Sequence, residues 1–316
     1  RLFTRPGGFD VFHSLSGYLS AARQAKTIVT VHDLMPEVFY RQALAQGREP
    51  GPPPAELLGP SARRADRVIV TSSGTRDDLV RLYSIDPAKI TIILYGADGA
   101  LFRSSDRARL AAIRERYGLQ DPFVLFLGPF QERHNSERVL EAAASLRREG
   151  LGRDLRFVFV GKPNAYLDLI TEHARRLGLE GDTRRLGYVP REDLPALYQA
   201  AFAVAHPTTY GGGLPVYESM ASGAALITSN TAESTMPEIV EDGALTVDPY
   251  DVADIARSLA SLIRDPALGD RLRQRALARG QRLTWREAAR RYVRVYEGLA
   301  GRARPSAETG TSRSSS

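Results

Sequence analysis

The sequence predicts an α/β protein with two parallel sheets, each covered by helices on both faces. Three observations carry that expectation. Short β-branched or aromatic runs alternate with longer amphipathic stretches, the pattern of strand–helix units whose strands lie parallel. A polar break between Tyr95 and Arg109, containing Gly96, Asp98 and Gly99, divides these runs into two series. The 316 residues suffice for about two domains of roughly 150 residues each.

In the first series Val11–His13, Thr27–Val31, Val68–Thr71 and Ile90–Ile93 read as strands, and Gly51–Pro54 (Gly-Pro-Pro-Pro) reads as a loop. The second series is fuller. Phe123–Leu127, Phe157–Val160, Arg185–Leu186, Ala203–His206, Ala225–Thr228 and Leu245–Val247 read as strands. Asn135–Glu149, Tyr166–Leu177, Arg191–Ala200 and Val252–Arg264 read as helices. In the first of these, Ser136 and Glu137 start the helix, and Val139, Leu140, Ala143 and Leu146 form its apolar stripe. Thr284–Tyr296 reads as a further helix with Trp285, Ala288, Tyr292 and Tyr296 along one side. It either crosses back to the first domain or packs on its own. The polar, Ser-rich tail from Arg302 cannot bury a core and is expected to be disordered. The expected units are therefore 1–105, 106–283, 284–301 and 302–316. Strand-like sequence begins almost at once, so the first domain is expected to be incomplete at its N-terminus.

Composition narrows the classes. Hydrophobic residues make up 43% and charged residues 25%, ordinary for a soluble globular chain. With 0 Cys, a disulfide framework, a zinc–cysteine site and a thiol nucleophile are excluded. No apolar run approaches the ~20 residues of a membrane span. The balance of 43 Lys+Arg against 37 Asp+Glu gives +6, which favours phosphates or an anionic surface. The arginines are spread over helix-like segments rather than clustered, so no nucleic-acid partner is expected. There is no Gly-x-Gly-x-x-Gly after a strand, no complete P-loop before Gly161-Lys162 and no Gly-x-Ser-x-Gly elbow. No His pair stands at metal-binding spacing and no Asp-x-Asp occurs, so no metal site is expected.

The strongest local signal runs from Pro207 to Gly223: Pro-Thr-Thr-Tyr-Gly-Gly-Gly-Leu-Pro-Val-Tyr-Glu-Ser-Met-Ala-Ser-Gly. Gly211, Gly212 and Gly213 free the backbone for close approach, and Leu214 and Pro215 open a helix. Backbone N–H groups at such a start can hold phosphate. Glu218 is expected near the first turn, where its carboxylate would accept both hydroxyls of a ribose diol. A Gly-rich loop with a solvated Glu is the plain alternative.

This segment resembles the donor-site motif of the retaining glycosyltransferases of family 4, the glycosyltransferase group 1 family, whose GT-B fold pairs two Rossmann-like domains across a cleft. Other segments resemble the family in the same order along the chain. They are Val29-Thr-Val-His32-Asp33, Ala65-Asp-Arg-Val-Ile-Val-Thr-Ser72 and Tyr95-Gly96-Ala97-Asp98. They continue through Leu127-Gly128-Pro-Phe-Gln-Glu-Arg133-His134-Asn135, Phe159-Val-Gly161-Lys162, Leu186-Gly-Tyr188-Val189-Pro190, Ile227-Thr-Ser229-Asn230, Met236-Pro-Glu238 and Val247-Asp-Pro249. The resemblance spans roughly residues 9–300.

It implies transfer of a sugar from a UDP-, GDP- or ADP-sugar to a carbohydrate or lipid-linked acceptor, with retention and without a metal or other cofactor. His32, Arg133, Lys162 and Glu218 would carry the chemistry. His32 would touch the transferred sugar or a phosphate, and Arg133 and Lys162 would face the diphosphate, where positive charge stabilises the leaving group. Gly128, His134, Gly161, Tyr188, Val189, Gly212, Gly213, Leu214 and Pro215 would line the donor. The expected location is the cytoplasm, with peripheral contact at the inner membrane face left open.

The chain departs from the family pattern at three places. The family's first loop carboxylate is replaced by Tyr210, its loop Lys by His134, and the Gly-rich loop after the family's first strand is missing. A degenerate member acting as a binding or partner subunit is the competing expectation. A sugar-nucleotide epimerase of similar two-domain fold is a third.

Overall fold

The structure, a computed structural model, describes residues 9–19, 25–47, 49, 58–102, 106–231 and 235–301. Gly51–Pro54 and the tail from Arg302 lie outside the described residues.

The first unit runs β1 (Val11–Ser14), β2 (Lys26–Val31), α1 (Met35–Ala45), α2 (Leu58–Arg64), β3 (Arg67–Val70), α3 (Ser73–Tyr83) and β4 (Ile90–Ile92). Its four strands pair in the order β1-β2-β3-β4, all parallel. Alternate residues of β2 and β3 face opposite sides. Val29, Val31, Val68 and Val70 pack under the helices with Leu34, Val38 and Leu79, while Ile28 and Ile69 face the other way. The chain builds α3 on a local signal: Ser72 caps it by accepting from the Thr75 N–H at 3.0 Å.

The second unit runs α4 (Arg107–Tyr117), β5 (Phe123–Leu127), α5 (Ser136–Arg148), β6 (Arg156–Val160), α6 (Ala165–Arg176), β7 (Thr183–Gly187), α7 (Leu194–Ala200) and β8 (Ala203–His206). It continues through α8 (Leu214–Ser222), β9 (Leu226–Ser229), α9 (Met236–Val240), β10 (Leu245–Val247), α10 (Val252–Arg264) and α11 (Pro266–Gly280). Its strands pair in parallel in the order β10-β9-β8-β5-β6-β7. That is a doubly wound sheet whose order reverses between β5 and β8, where such sheets bind ligands at their strand ends.

Two cores cover this sheet. Phe123, Leu125, Val158, Val204 and Leu226 meet α4, α7 and α8 on one face. Val124, Phe126, Phe157, Phe159 and Ile227 meet α5, α6 and α10 on the other. Phe126 and Phe159 stack at 4.5 Å between ring centroids. Each fully buried side chain of this size contributes about 1.5–3 kcal/mol.

Most expected elements match within a residue at each end, and two of the second unit differ by more. The expected strand Arg185–Leu186 is the longer β7, whose Arg184 and Arg185 are exposed because the strand lies at the sheet edge. The helix expected from Arg191 starts at Leu194 instead. Residues before it turn, with Asp193 N–H on Pro190 C=O at 3.0 Å. The Asp193 carboxylate is drawn inward to Arg109 at 2.5 Å, Arg116 at 3.0 Å and the Tyr117 hydroxyl at 2.7 Å.

The chain crosses between the units twice, and the crossings touch. Ala97 N–H donates to Leu283 C=O at 3.0 Å, and Ala97 bridges Thr284 in parallel. A Cβ on Gly96 would fall 2.1 Å from the Thr284 carbonyl carbon, so only glycine fits. Helix α12 (Trp285–Leu299) then lies on the first sheet. Its Ala288, Tyr292, Val295, Tyr296 and Leu299 cover Ile28, Ile69 and Ile93. Thr284 caps it by accepting from Glu287 N–H at 3.2 Å. Among the described residues no helix is long and apolar enough to cross a membrane.

Candidate active site

The loops after β5, β6 and β8 gather at the reversal point of the second sheet. Gly128 ends β5 and Gly161 ends β6, and a Cβ on Gly161 would fall 3.1 Å from Gly128 Cα. Gly161 has φ +149, so the two backbones meet there in a form that only glycine takes without strain.

After Gly128 the chain makes a short turn through Glu132–His134 and reaches Asn135 at φ 62. Asn135 is held there by its amide on Pro249 C=O at 2.6 Å. Arg133 donates from Nε to Gln131 at 2.9 Å and from its terminal nitrogen to Tyr210 C=O at 3.3 Å. Thr209 N–H in turn donates to Arg133 C=O at 2.8 Å, which ties the two loops together. Burial lowers the pKa of Arg133, and Asp33 of the first domain opposes that shift across the cleft. Lys162 is exposed and makes no hydrogen bond or ion pair among the described residues.

His134 lies elsewhere than the sequence expectation put it. It is 8% exposed and packs against His206 with ring centroids 5.2 Å apart. Burial pushes its pKa down to about 4. The ring is therefore neutral at pH 7 and set into the protein, so it brings no positive charge to a phosphate.

The loop from Pro207 to Gly213 is pinned from below. Ser229 donates to Thr208 C=O at 2.6 Å, Thr208 Oγ1 to Tyr210 C=O at 2.9 Å, and Thr235 N–H to Gly211 C=O at 3.2 Å. Gly211 sits at φ +71. A Cβ on Gly212 would fall 2.4 Å from Thr235 Oγ1. Gly213 caps α8, and Pro215 lies in its first turn. At the start of α8 Pro215 carries no N–H and Val216 N–H donates to Gly213 C=O at 3.1 Å, so Gly213 and Leu214 supply the N–H groups left for a ligand there.

Glu218 lies one residue past the first turn of α8, near where the sequence put it. Dipole stabilisation is weak there. Tyr198 holds the carboxylate instead, its hydroxyl donating to Oε2 at 2.9 Å. Burial raises the Glu218 pKa, while Tyr198 and the positive charge of Arg191 hold it back. The loop after β7 places Tyr188 in solvent at 73% exposure and buries the Val189 side chain at 5%. Only the backbone of Val189 is left to meet a ligand. Leu214 is 44% exposed at the start of α8.

From the first domain, His32 follows β2 and reaches the cleft. Its Nε2 donates to Leu15 C=O at 2.8 Å, so Nδ1 accepts from Tyr95 Oη at 2.5 Å. Tyr95 meets Tyr217 at 6.0 Å, which links His32 to the helix that carries Glu218. Burial pushes the Tyr95 hydroxyl up to about 12, so it remains a proton donor to His32. Sequence reasoning did not single out Tyr198 or Tyr95 as site residues. Tyr95 had a visible signal in Tyr95-Gly96-Ala97-Asp98, whereas Tyr198 reads as an ordinary core position. Among the described residues no group of three or more His, Asp or Glu side chains is placed to hold a metal ion.

Two parallel-sheet domains facing a cleft, with glycine-rich strand ends and a helix start on one wall, define a nucleotide-binding protein of the GT-B class. The family model for glycosyl transferases group 1 matches residues 111–279, and that for glycosyltransferase family 4 matches residues 1–100. This chain belongs to the glycosyltransferase group 1 family and is a glycosyltransferase.

It is 32% identical to D-inositol 3-phosphate glycosyltransferase 1 of Catenulispora acidiphila, over 95% of this chain and 75% of that protein. It is 31% identical to the D-inositol 3-phosphate glycosyltransferase of Corynebacterium kroppenstedtii, over 85% of this chain and 61% of that protein. It is 25% identical to the O-antigen chain mannosyltransferase B of Escherichia coli, over 91% and 74%. Among solved structures, Anabaena HepE in complex with UDP matches at a TM-score of 0.73 and 20% identity, over 87% of this chain and 72% of that one. Sucrose-phosphate synthase from Thermosynechococcus elongatus matches at 0.75 and 24%, over 89% and 70%. These two show the shared fold.

Proposed function

We propose that the chain transfers a sugar from a nucleoside-diphosphate sugar to a carbohydrate or lipid-linked acceptor, with retention and without a metal. The observation that carries this is the wall formed by Gly128, Gly161, the Gly211–Gly213 loop, the start of α8 and Glu218 at the reversal point of one doubly wound sheet. Residues 106–283 supply this donor side, and residues 1–105 bring His32 and Asp33 from the acceptor side. The UDP complex of HepE supports a nucleotide donor. The names of the inositol 3-phosphate relatives make a phosphorylated polyol the first acceptor to try.

In this reading the diphosphate lies at the start of α8, with Arg133 and Lys162 toward its oxygens. Glu218 accepts the ribose diol, one oxygen fixed by Tyr198 and the other left for the ligand. The bond from the sugar C1 to the diphosphate oxygen breaks, and the acceptor oxygen bonds to C1 on the same face. The acceptor hydroxyl proton passes to the departing phosphate oxygen. The protein supplies position and positive charge. His32 meets the ligand only if its ring exchanges Leu15 C=O or Tyr95 for it.

A melting panel of UDP, GDP, ADP and CMP tests the reading. At about 100 times its dissociation constant a bound nucleotide stabilises by about 2.7 kcal/mol, several degrees for a domain of this size. A selective rise names the donor base. A cooperative melt unmoved by every nucleotide overturns the donor reading and favours a partner subunit. Turnover with inositol 3-phosphate, unchanged by EDTA, then tests acceptor class and metal independence.

A further inference from the structure

The loop after β8 belongs to the second domain by sequence, yet Tyr210 at its tip belongs to the first by packing. Its ring is 4% exposed and joins Leu34, Val38 and Leu79 in the core of the first unit. It lies 5.4 Å from the Phe39 ring. Its hydroxyl donates to Asp78 Oδ2 at 2.9 Å, while Arg81 holds the other oxygen of Asp78 at 2.5 Å. A second tie reaches the same helix. Glu238 of α9 accepts from the N–H and the hydroxyl of Ser73, both at 2.8 Å. That carboxylate sits at the N-terminus of α3, where unpaired N–H groups and the helix dipole favour an anion.

The residues just before and within α3 hold the strand end that carries His32. Thr71 Oγ1 donates to His32 C=O at 2.9 Å, and Thr75 Oγ1 reaches the same oxygen at 3.4 Å. A carboxylate at position 210 would enter an apolar pocket beside Asp78, at the cost of burying a second negative charge. A phenol fills the pocket with its ring and meets Asp78 with its proton.

We propose that Tyr210 and Glu238 are positioning residues that clasp α3 between them and hold the His32–Asp33 strand end against the donor loop. The effect on turnover rests on the donor reading above, but the clasp itself does not. The chain has 0 Cys, so Gln42→Cys and Leu169→Cys on exposed helical positions of the two domains accept two spin labels.

Pulsed distance measurement on the labelled chain without nucleotide is expected to give one narrow distribution. D78A/E238A removes both ties without touching the loop and gives a longer, broader one. D78N/E238Q keeps an amide oxygen for each donor and restores the parent distribution. With UDP-glucose as probe, hydrolysis by D78A/E238A falls about tenfold while its affinity for UDP stays within about twofold, the mark of a lost positioning role. An unchanged distribution in a cooperatively melting D78A/E238A chain overturns the clasp. If that variant does not melt cooperatively, Y210F/E238A, which keeps the ring and loses the bonds of its hydroxyl together with the Glu238 tie, is read by the same two outcomes. Failure of the parent to bind any nucleotide overturns the donor reading and leaves the distance test standing.

Discussion

The hydroxyl of Tyr198 donates to Glu218 Oε2 at 2.9 Å, joining the fully buried ring of one helix to the half-buried carboxylate of the next. It fixes the carboxylate rotamer before any ligand arrives. Y198F is expected to weaken UDP binding by about fivefold, in keeping with the roughly 1 kcal/mol net of one hydrogen bond. E218A should weaken it further and abolish transfer. Calorimetric titration of the three proteins checks this, and equal affinities would refute it.

The same pair sets a pH dependence. Burial raises the Glu218 pKa from its ordinary value, and Tyr198 restrains the rise. On the proposed donor reading the ionised form accepts the ribose hydroxyls, so donor affinity is expected to fall as pH drops through the folded pKa. Y198F should move that acid limb to higher pH, and E218Q should remove it. UDP affinity measured from pH 4.5 to 8 in the three proteins decides the point.

Two buried imidazoles, His134 and His206, and the half-buried His13 give a stability profile of definite sign. Burial pushes His13 and His134 down to about 4 and His206 to about 3. The unfolded chain takes up these protons near the ordinary value of about 6.5. Between that value and about 4 the unfolded state therefore binds more protons, and stability is lost as pH falls. Urea melts across this window should show the loss, and H134Q should flatten it. A level profile would be incompatible with neutral imidazoles at these three positions.

Lys162 separates binding from stability. It is exposed and makes no bond among the described residues, so K162A should change the melting free energy by less than about 0.5 kcal/mol. Its loss should weaken UDP affinity about tenfold, about 1.4 kcal/mol, and reduce the sensitivity of binding to salt. Arg133 also holds Gln131 and Tyr210, so R133A should show both effects.

Gly96 marks the double crossing between domains. A Cβ there would meet the Thr284 carbonyl carbon at 2.1 Å and Trp285 N at 2.3 Å, backbone that has no room to yield. G96A is expected to destabilise the chain by about 1–3 kcal/mol, as overpacking does. Gly99 has nothing within 4 Å of its Cβ position, so G99A serves as the control.

The strand–helix alternation, the two series of strands and the glycine-rich loops were legible in the chain alone, because these rest on local periodicity and turn chemistry. The sequence located the glycine-rich loop and helix start at the strand ends through Gly211–Gly213, Leu214 and Pro215, whose parts are those of backbone. It showed only the middle of β7, Arg185–Leu186, because the exposed Arg184 and Arg185 of an edge strand break the apolar run that marks a buried one. It could not show that His134 turns inward to His206, nor that Tyr198 reaches Glu218, because each depends on which faces the fold brings together. The stripe of α12 was plain in the spacing of Ala288, Tyr292 and Tyr296. Only the tertiary structure fills the hole beside Asp78 with Tyr210, a residue 132 positions away in sequence. Apolar burial and a single hydroxyl proton decide such a contact, and neither leaves a period or a motif in the chain.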